Sequence, residues 1–342
     1  MSAAGALALY PGFEGAALEP APGGLINQSF LVAGPERAVL QRVSAIFPPG
    51  IHHNIQAVTE RLAAAGLVTP MLIRARDGQL WVELEGQVWR LLTFVEGATF
   101  DVVQSAAQAR AAAALVARFH GALDDLPHAF THVRKGAHDT PRHLEKLRAA
   151  VARHVGHRLF PQVAPLAAEI LAAAQVLPPL PPLDERVCHG DLKFNNVRFA
   201  ATGSPGREEA RCLIDLDTVG PLSLAYELGD AWRSWCNRNG EDSETAAFAL
   251  DVFTASVEGY RGGRGRSFSA SEQEALLRSP EWISLELAAR FAADALDESY
   301  FGWNAARFPS RGDHNLVRAR GQWSLHGGLV ESREARAAAL AG

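Results

Sequence analysis

The chain has 342 residues, 48% hydrophobic and 21% charged, with 33 Lys plus Arg against 38 Asp plus Glu and a net charge of −5. This apolar content excludes a disordered polymer and a fibre, and the charge does not suggest a strongly basic nucleic-acid binder. At ~150 residues per domain the length predicts about two domains or lobes.

Residues 11–24, rich in Pro, Gly and Ala, read as an irregular lead-in. Four β-like runs follow, SFLVAG, AVLQRV, LWVELEG and QVWRLLTFVEG, with Gly34-Pro35 and Asp77-Gly78 as turn signals. One helix interrupts them: Ile51 to Ala65 sets Ile55, Val58, Leu62 and Ala65 on one stripe, and Gly66 stops it. Past Gly97 the text turns to Ala-rich helices. Ser105 to Gln108 reads as a capping box opening a helix to about Leu126, and Thr140-Pro141 starts a second. Pro165 to Leu177 is a third, stopped by PPLPPL. Residues 187–219 break the pattern with NVRF and RCLID, joined by the turn-rich ATGSPGREEA. Helices resume at Ser223, with Ser271 to Glu274 as another capping box. The expected class is α+β. A β-rich lobe spans 1–97, with 1–23 as lead-in, and an α-helical lobe with an embedded hairpin spans 98–342.

Cys188, Cys212 and Cys236 lie far apart with no C-x-x-C pair, which fits a reducing, cytoplasmic setting better than a disulfide framework or a zinc cluster. No Lys or Arg precedes Arg37, so a secretory leader lacks its basic start, and no apolar run reaches the ~18 residues of a membrane helix. Neither nucleic acid nor a membrane is therefore expected as a partner.

The informative text is VCHGDLKFNN, residues 187–196, followed after the hairpin by CLIDLDTVG, residues 212–220. Moving a phosphoryl group requires a carboxylate to orient the attacking hydroxyl and accept its proton. It also requires hard oxygen ligands for a Mg²⁺ that neutralises the phosphates. Asp191 suits the first task; Asn196 and Asp215, brought together by the hairpin, suit the second.

HGDLKFNN and IDLDTVG resemble the H-x-D-x-x-x-x-N and I-D-x-D motifs of aminoglycoside phosphotransferases and choline kinases, relatives of protein kinases. The likeness extends over roughly 24–240, with GGLINQSF as the nucleotide loop, RLLTFVEG as the hinge and AYELGDAWR as the segment buttressing the catalytic loop. LQRVS, FVEGATF, HDTPRH and IDLDTVG are worded most like the N-acetylhexosamine 1-kinase branch. The resemblance implies a protein-kinase-like two-lobe fold binding ATP and Mg²⁺, with a small-molecule hydroxyl acceptor and a monomeric or homodimeric protein. It makes Asp191 the catalytic base, with Lys193 beside the transferred phosphate, Asn196 and Asp215 metal ligands, and Asp217 a further metal-side carboxylate. His189 would hold the loop, and Asp230 would bond its amides. Phe94, Val95 and Glu96 would meet the adenine edge, and Asn27 and Gln28 the phosphates.

The nucleotide-binding lysine of the third strand is missing. Val39 to Val43 offers Arg42, with Gln41 as the lesser candidate, and Glu60 on the next helix is the expected acidic partner. Arg keeps the charge with an altered geometry. Asp139, Arg142 and Arg233, with Trp232 and a Trp303–Tyr300 platform, are acceptor-side candidates. Asp139 is equally a helix start, Arg42 an edge-strand Arg, and the aromatics plain core. A sugar with a free anomeric hydroxyl is the expected acceptor. The alternative is an aminoglycoside or amino alcohol held by Glu241, Asp242, Asp294, Asp297 and Glu298. Two rival classes are a phosphohydrolase using His189, Asp191, Asp215 and Asp217, and a nucleotide-binding protein without catalysis.

Overall fold

A computed structural model describes residues 3–21, 26–34, 36–133, 136, 138–201 and 208–342. Gly23, Gly24 and Leu25 of the nucleotide-loop text, Pro35 and residues 202–207 of the hairpin turn lie outside the described residues.

The first lobe holds helix α1 (Ala3–Leu7), strands β1 (Ala17–Pro20), β2 (Gln28–Ala33) and β3 (Ala38–Val43), helix α2 (Ile51–Ala64), and strands β4 (Leu72–Ile73), β5 (Val82–Leu84) and β6 (Gln87–Thr93). They form one antiparallel sheet ordered β1-β2-β3-β6-β4, with β5 also on β6. The lead-in expectation is corrected here. Ala17 to Pro20 pairs with β2 as an edge strand, where Pro20 costs no interior ladder bond. On one side of the sheet Tyr10, Val32, Leu40, Trp89 and Leu91 form a compact core. Helix α2 buries Ile55, Val58 and Leu62 as its period requires, whereas Ala65 is exposed.

The second lobe begins with helices α3 (Ala106–Leu123), α4 (Thr140–Arg153) and α5 (Phe160–Val176). Next come strands β7 (Glu185–Cys188), β8 (Val197–Phe199), β9 (Ala210–Leu213) and β10 (Gly220–Ser223). Helices α6 (Leu224–Trp235), α7 (Leu250–Arg264), α8 (Ala270–Asp297), α9 (Arg311–Glu331) and α10 (Arg333–Ala341) complete it. Two starts differ from expectation. Helix α5 begins five residues before Pro165, with Pro161 in its first turn. The capping box of α8 is Ser269 with Glu272, because Ser269 has the extended backbone of a cap while Ser271 is already helical. Strands β8 and β9 make the expected hairpin. Strands β7 and β10 make a second, unexpected ribbon in register Cys188↔Gly220 through Glu185↔Ser223. That ribbon brackets the two motifs and brings them side by side.

The main core runs through both lobes, from Ile55 and Val58 through Leu115 and Phe119 to Phe194, Phe199, Trp232 and Trp235. A second core joins α4 and α5 to α8 and α9. No helix among the described residues is long and apolar enough to cross a membrane.

Candidate active site

Local geometry fixes the His189–Asn196 loop. Gly190 has φ +80°, and a Cβ there would stand 2.7 Å from the Thr218 carbonyl oxygen, so the loop needs glycine where it crosses the Asp215–Thr218 turn. His189 accepts the Asp191 amide proton at Nδ1 (3.3 Å) and donates from Nε2 to the Ile214 carbonyl (2.9 Å). Its bonds are structural, as expected. Trp235 Nε1 donates to the Leu192 carbonyl at 2.7 Å, and the Phe194 amide donates to Ser234 Oγ at 3.2 Å, so α6 carries the loop from behind.

The buttressing residue is Glu227, which corrects the expectation for Asp230. Its two carboxylate oxygens accept the His189 and Gly190 amides at 2.8 and 2.9 Å, with His120 at 3.3 Å. Burial alone would raise its carboxyl, but the hydrogen bonds from His120 and the loop amides hold it below the usual range. His120, Cys188 and Glu227 lie close enough to suggest a metal site. Their polar atoms are already committed, since His120 Nδ1 meets the Tyr260 hydroxyl at 2.9 Å. Burial pushes all three thiols up, Cys212 to about 12, so none is a ready nucleophile.

The two motifs meet as the spacing implies. The Asn196 side-chain amide donates to the Asp191 carbonyl at 2.8 Å, which leaves its oxygen for another partner, and the Ile214 amide donates to the Asn196 carbonyl at 2.9 Å. Asp215 occupies the left-handed region at φ 65°, an uncommon conformation for a residue with a Cβ and one often found at functional sites. Burial, followed by the charges of Asp217 and Asp191, pushes its carboxyl up to about 6. A buried group of carboxylates short of positive charge suits a divalent cation. Asp191 keeps 25% of its side chain exposed, with Lys193 Nζ 3.4 Å from Oδ2, and this neighbour holds the Lys193 ammonium above its usual range.

Asp217 is placed differently from Asp215. It is buried, accepts from Asn27 Nδ2 at 2.6 Å through one oxygen, and forms an ion pair with Arg90 through the other. Asn27 Oδ1 in turn accepts the Ser44 amide at 2.9 Å. The expectation for Arg42 and Glu60 is corrected. Strand period two turns Gln41 toward the Asp217 side and leaves Arg42 exposed with Gln28 at a surface groove. Glu60 is exposed and accepts from Gln56 at 2.7 Å.

At the crossover between lobes the Phe94 amide donates to the Arg37 carbonyl at 3.1 Å, and its ring lies under Arg37. That amide is thus spent internally, while those of Val95 and Glu96 make no backbone hydrogen bond among the described residues. The Glu96 side chain turns outward to Arg37. Gly97 has φ +137°, and a Cβ there would stand 2.0 Å from the Phe199 carbonyl oxygen, so the crossover lies flat on β8.

Acceptor-side expectations divide. Asp139 caps α4 by accepting the Arg142 amide at 3.1 Å, and Arg142 is exposed. Trp232 is core against Phe253, and Tyr300 packs edge-on to Phe301. Arg233 is buried and held by Asp230 at 2.8 and 3.0 Å and by Glu241 at 3.0 Å. The remaining acids are committed elsewhere. Asp294 accepts the amides of Ser299, Tyr300 and Phe301, Asp242 pairs with Arg318 and His314, Asp297 with Arg153, and Glu298 with His157.

A β-rich lobe over a helical one, with the His189–Asn196 loop and the acidic Asp215–Thr218 turn facing each other, defines a protein-kinase-like two-lobe fold. Residues 17–265 match the model of the phosphotransferase enzyme family, and the chain belongs to that family. It is 27% identical over 221 residues to the homoserine kinase of Zymomonas mobilis subsp. mobilis, a match covering 64% of this chain and 61% of that relative. The fold is similar to that of a microcompartment-associated aminopropanol kinase (TM-score 0.63, 18% identity, 98% of each chain). It is also similar to an aminoglycoside phosphotransferase from Alicyclobacillus acidocaldarius subsp. acidocaldarius (0.59, 14%, 98% of this chain and 97% of that one). An amicoumacin kinase in complex with AMP-PNP and Ca²⁺ shares the architecture as well (0.61, 11%, 94% and 91%).

Proposed function

We propose that this chain transfers the γ-phosphoryl group of ATP, as its Mg²⁺ complex, to a hydroxyl of a small amine-bearing metabolite. The observation that carries the phosphotransfer is the meeting of Asp191, Asn196 and Asp215 beside Lys193. When bound, the nucleotide supplies the phosphoryl group and the cation offsets the charge on its phosphates. Asn196 and Asp215 would hold the cation through oxygen, and the amides of Val95 and Glu96 would take the base edge. Asp191, partly exposed beside Lys193, would orient the acceptor hydroxyl and take its proton as the new O–P bond forms and the bond from the γ-phosphorus to the bridging oxygen of ADP breaks. Lys193 stays protonated and stabilises charge on the transferred group. This chemistry depends on positioning and electrostatics and needs no side-chain nucleophile.

An amine-bearing acceptor is favoured because a curated relative is a homoserine kinase; Asp230 and Glu241 are engaged by Arg233 and add no free carboxylate. The N-acetylhexosamine reading loses two residues expected to support it, since Asp139 caps a helix and Arg142 is exposed. The test is ADP formation with ATP and Mg²⁺ across homoserine, amino alcohols, aminoglycosides and N-acetylhexosamines. Preference for an amine-bearing alcohol supports the proposal, and preference for the neutral sugar replaces the acceptor. Nucleotide binding with no acceptor-dependent ADP from any of them would mean a binding protein without catalysis.

A further inference from the structure

Protein kinases hold the nucleotide phosphates with a lysine on the third strand, paired to a glutamate on the following helix. This chain has no lysine before Lys135, so a cation in the first lobe must be an arginine. Of the arginines in that lobe, Arg37 and Arg76 form exposed ion pairs, Arg61 and Arg74 bond surface carbonyls, and Arg42 is exposed. Arg90 is the exception. It is 2% exposed and paired directly across the sheet with Gln41, on the face turned to the Asp215–Thr218 turn.

Its surroundings are arranged as a cradle. Arg90 Nε donates to Gln41 Oε1 at 2.8 Å, and Gln41 Nε2 donates to Ser29 Oγ at 2.9 Å, so the third-strand side chain positions the cation. Nη1 reaches Asp217, whose other oxygen holds Asn27 of the GGLINQSF segment. Nη2 makes no hydrogen bond among the described residues. Helix α2 offers no acid here: its buried polar side chains are His52, Asn54 and Thr59. His52 is close enough to feel both Arg90 and Asp217, and its Nε2 is buried without a hydrogen-bond partner among the described residues.

We infer that Arg90 is the phosphate-binding cation of this enzyme and that Asp217 is its anchor, a cross-lobe pair standing in for the strand–helix pair of protein kinases. The inference rests on the nucleotide-dependent reading above. A guanidinium can keep one N–H on Asp217 and offer another to a phosphate oxygen. Because the acid sits on the second lobe, the pair forms when the lobes are together and does not depend on where α2 lies. Asp217, with both oxygens engaged, anchors Arg90 and leaves the cation to Asp215 and Asn196.

The experiment is equilibrium binding of ATP and of adenosine, with Mg²⁺, to the full chain and to Arg90→Gln, Arg90→Lys and Arg42→Gln, with unfolding midpoints as the folding control. Loss of one charge-assisted contact predicts about 10- to 100-fold weaker ATP binding in Arg90→Gln, a smaller loss in Arg90→Lys, and adenosine affinity within about threefold in both. Arg42→Gln stays at the parental value for both ligands. If Arg90→Gln does not fold, Arg90→Lys decides: unchanged ATP affinity with Lys at 90 alongside a loss in Arg42→Gln overturns the assignment. So does an equal loss of ATP and adenosine in the Arg90 variants. ATP binding by the parent that is indifferent to residue 90 refutes this inference alone. A parent that binds no nucleotide refutes the kinase reading and this inference with it.

Discussion

Asp191 and Asp215 have opposite requirements although both are carboxylates in one cleft. Asp191 is partly exposed next to an ammonium, a setting that suits the proton acceptor proposed for it. Asp191→Asn removes the acceptor and keeps the shape. Turnover should fall by roughly 10²–10⁴ with nucleotide affinity nearly intact, measured by steady-state kinetics beside equilibrium binding; full activity would take Asp191 out of the mechanism. Asp215 is buried among like charges, with its carboxyl pushed up to about 6. Without a cation its ionisation therefore opposes folding as pH rises from about 4 through 6. Added Mg²⁺ should raise the unfolding midpoint more at pH 7.5 than at pH 5, and Asp215→Asn should abolish the difference. The placement of both residues was legible in the sequence because it depends on short spacing within one loop and one turn. The place of Arg90 was not, although an Arg between the apolar Trp89 and Leu91 was the available signal: a charge in such a strand needs a partner.

Among the elements, α6 does most to shape the site. Ser223 caps it, Glu227 in its first turn holds two loop amides, and Trp235 in its last turn holds a loop carbonyl. Glu227→Ala would leave the His189 and Gly190 amides buried and unpaired, at a cost of about 3 kcal/mol. The expected result is a lower unfolding midpoint and a lower kcat, with nucleotide KM changed little. A kcat equal to the parent's would show that the loop holds its shape without Glu227. The element's existence was readable from its period, but which acid faced the loop was not. Glu227 and Asp230 are three residues apart on the same side of a helix, and only the packing of α6 against β7 decides which one reaches the amides. The same limit explains the capping box of α8, where Ser269 and Ser271 both have an acid three residues on, and backbone geometry selects the first.

Across the whole molecule, burial keeps several histidines neutral. His52 is pushed down to about 4, and His120, His314 and His326 are lowered in the same direction by desolvation. A histidine depressed in the folded state binds protons more readily once unfolded, so stability should fall as pH drops from about 6.5 toward 4. Asp215 opposes this as a single group, and lowered acids such as Glu227 and Asp242 add to the loss at the acid end. Unfolding midpoints measured from pH 7.5 to 4.5 should decline; a flat profile would show that these imidazoles are accessible to protons in the native state. The sequence alone determined the two-lobe α+β plan, the Asp–Asn loop and the acidic turn, because each follows from local period, turn chemistry or short-range spacing. Tertiary structure decided which strand face each cation took, which acid braced the loop and which carboxylates stayed free. Those choices depend on pairings between residues far apart in sequence, from 37 positions for Gly190 with Glu227 to 127 for Arg90 with Asp217 and 190 for Asn27 with Asp217. Nothing in a linear pattern records a pairing that only sheet register and lobe packing bring into contact.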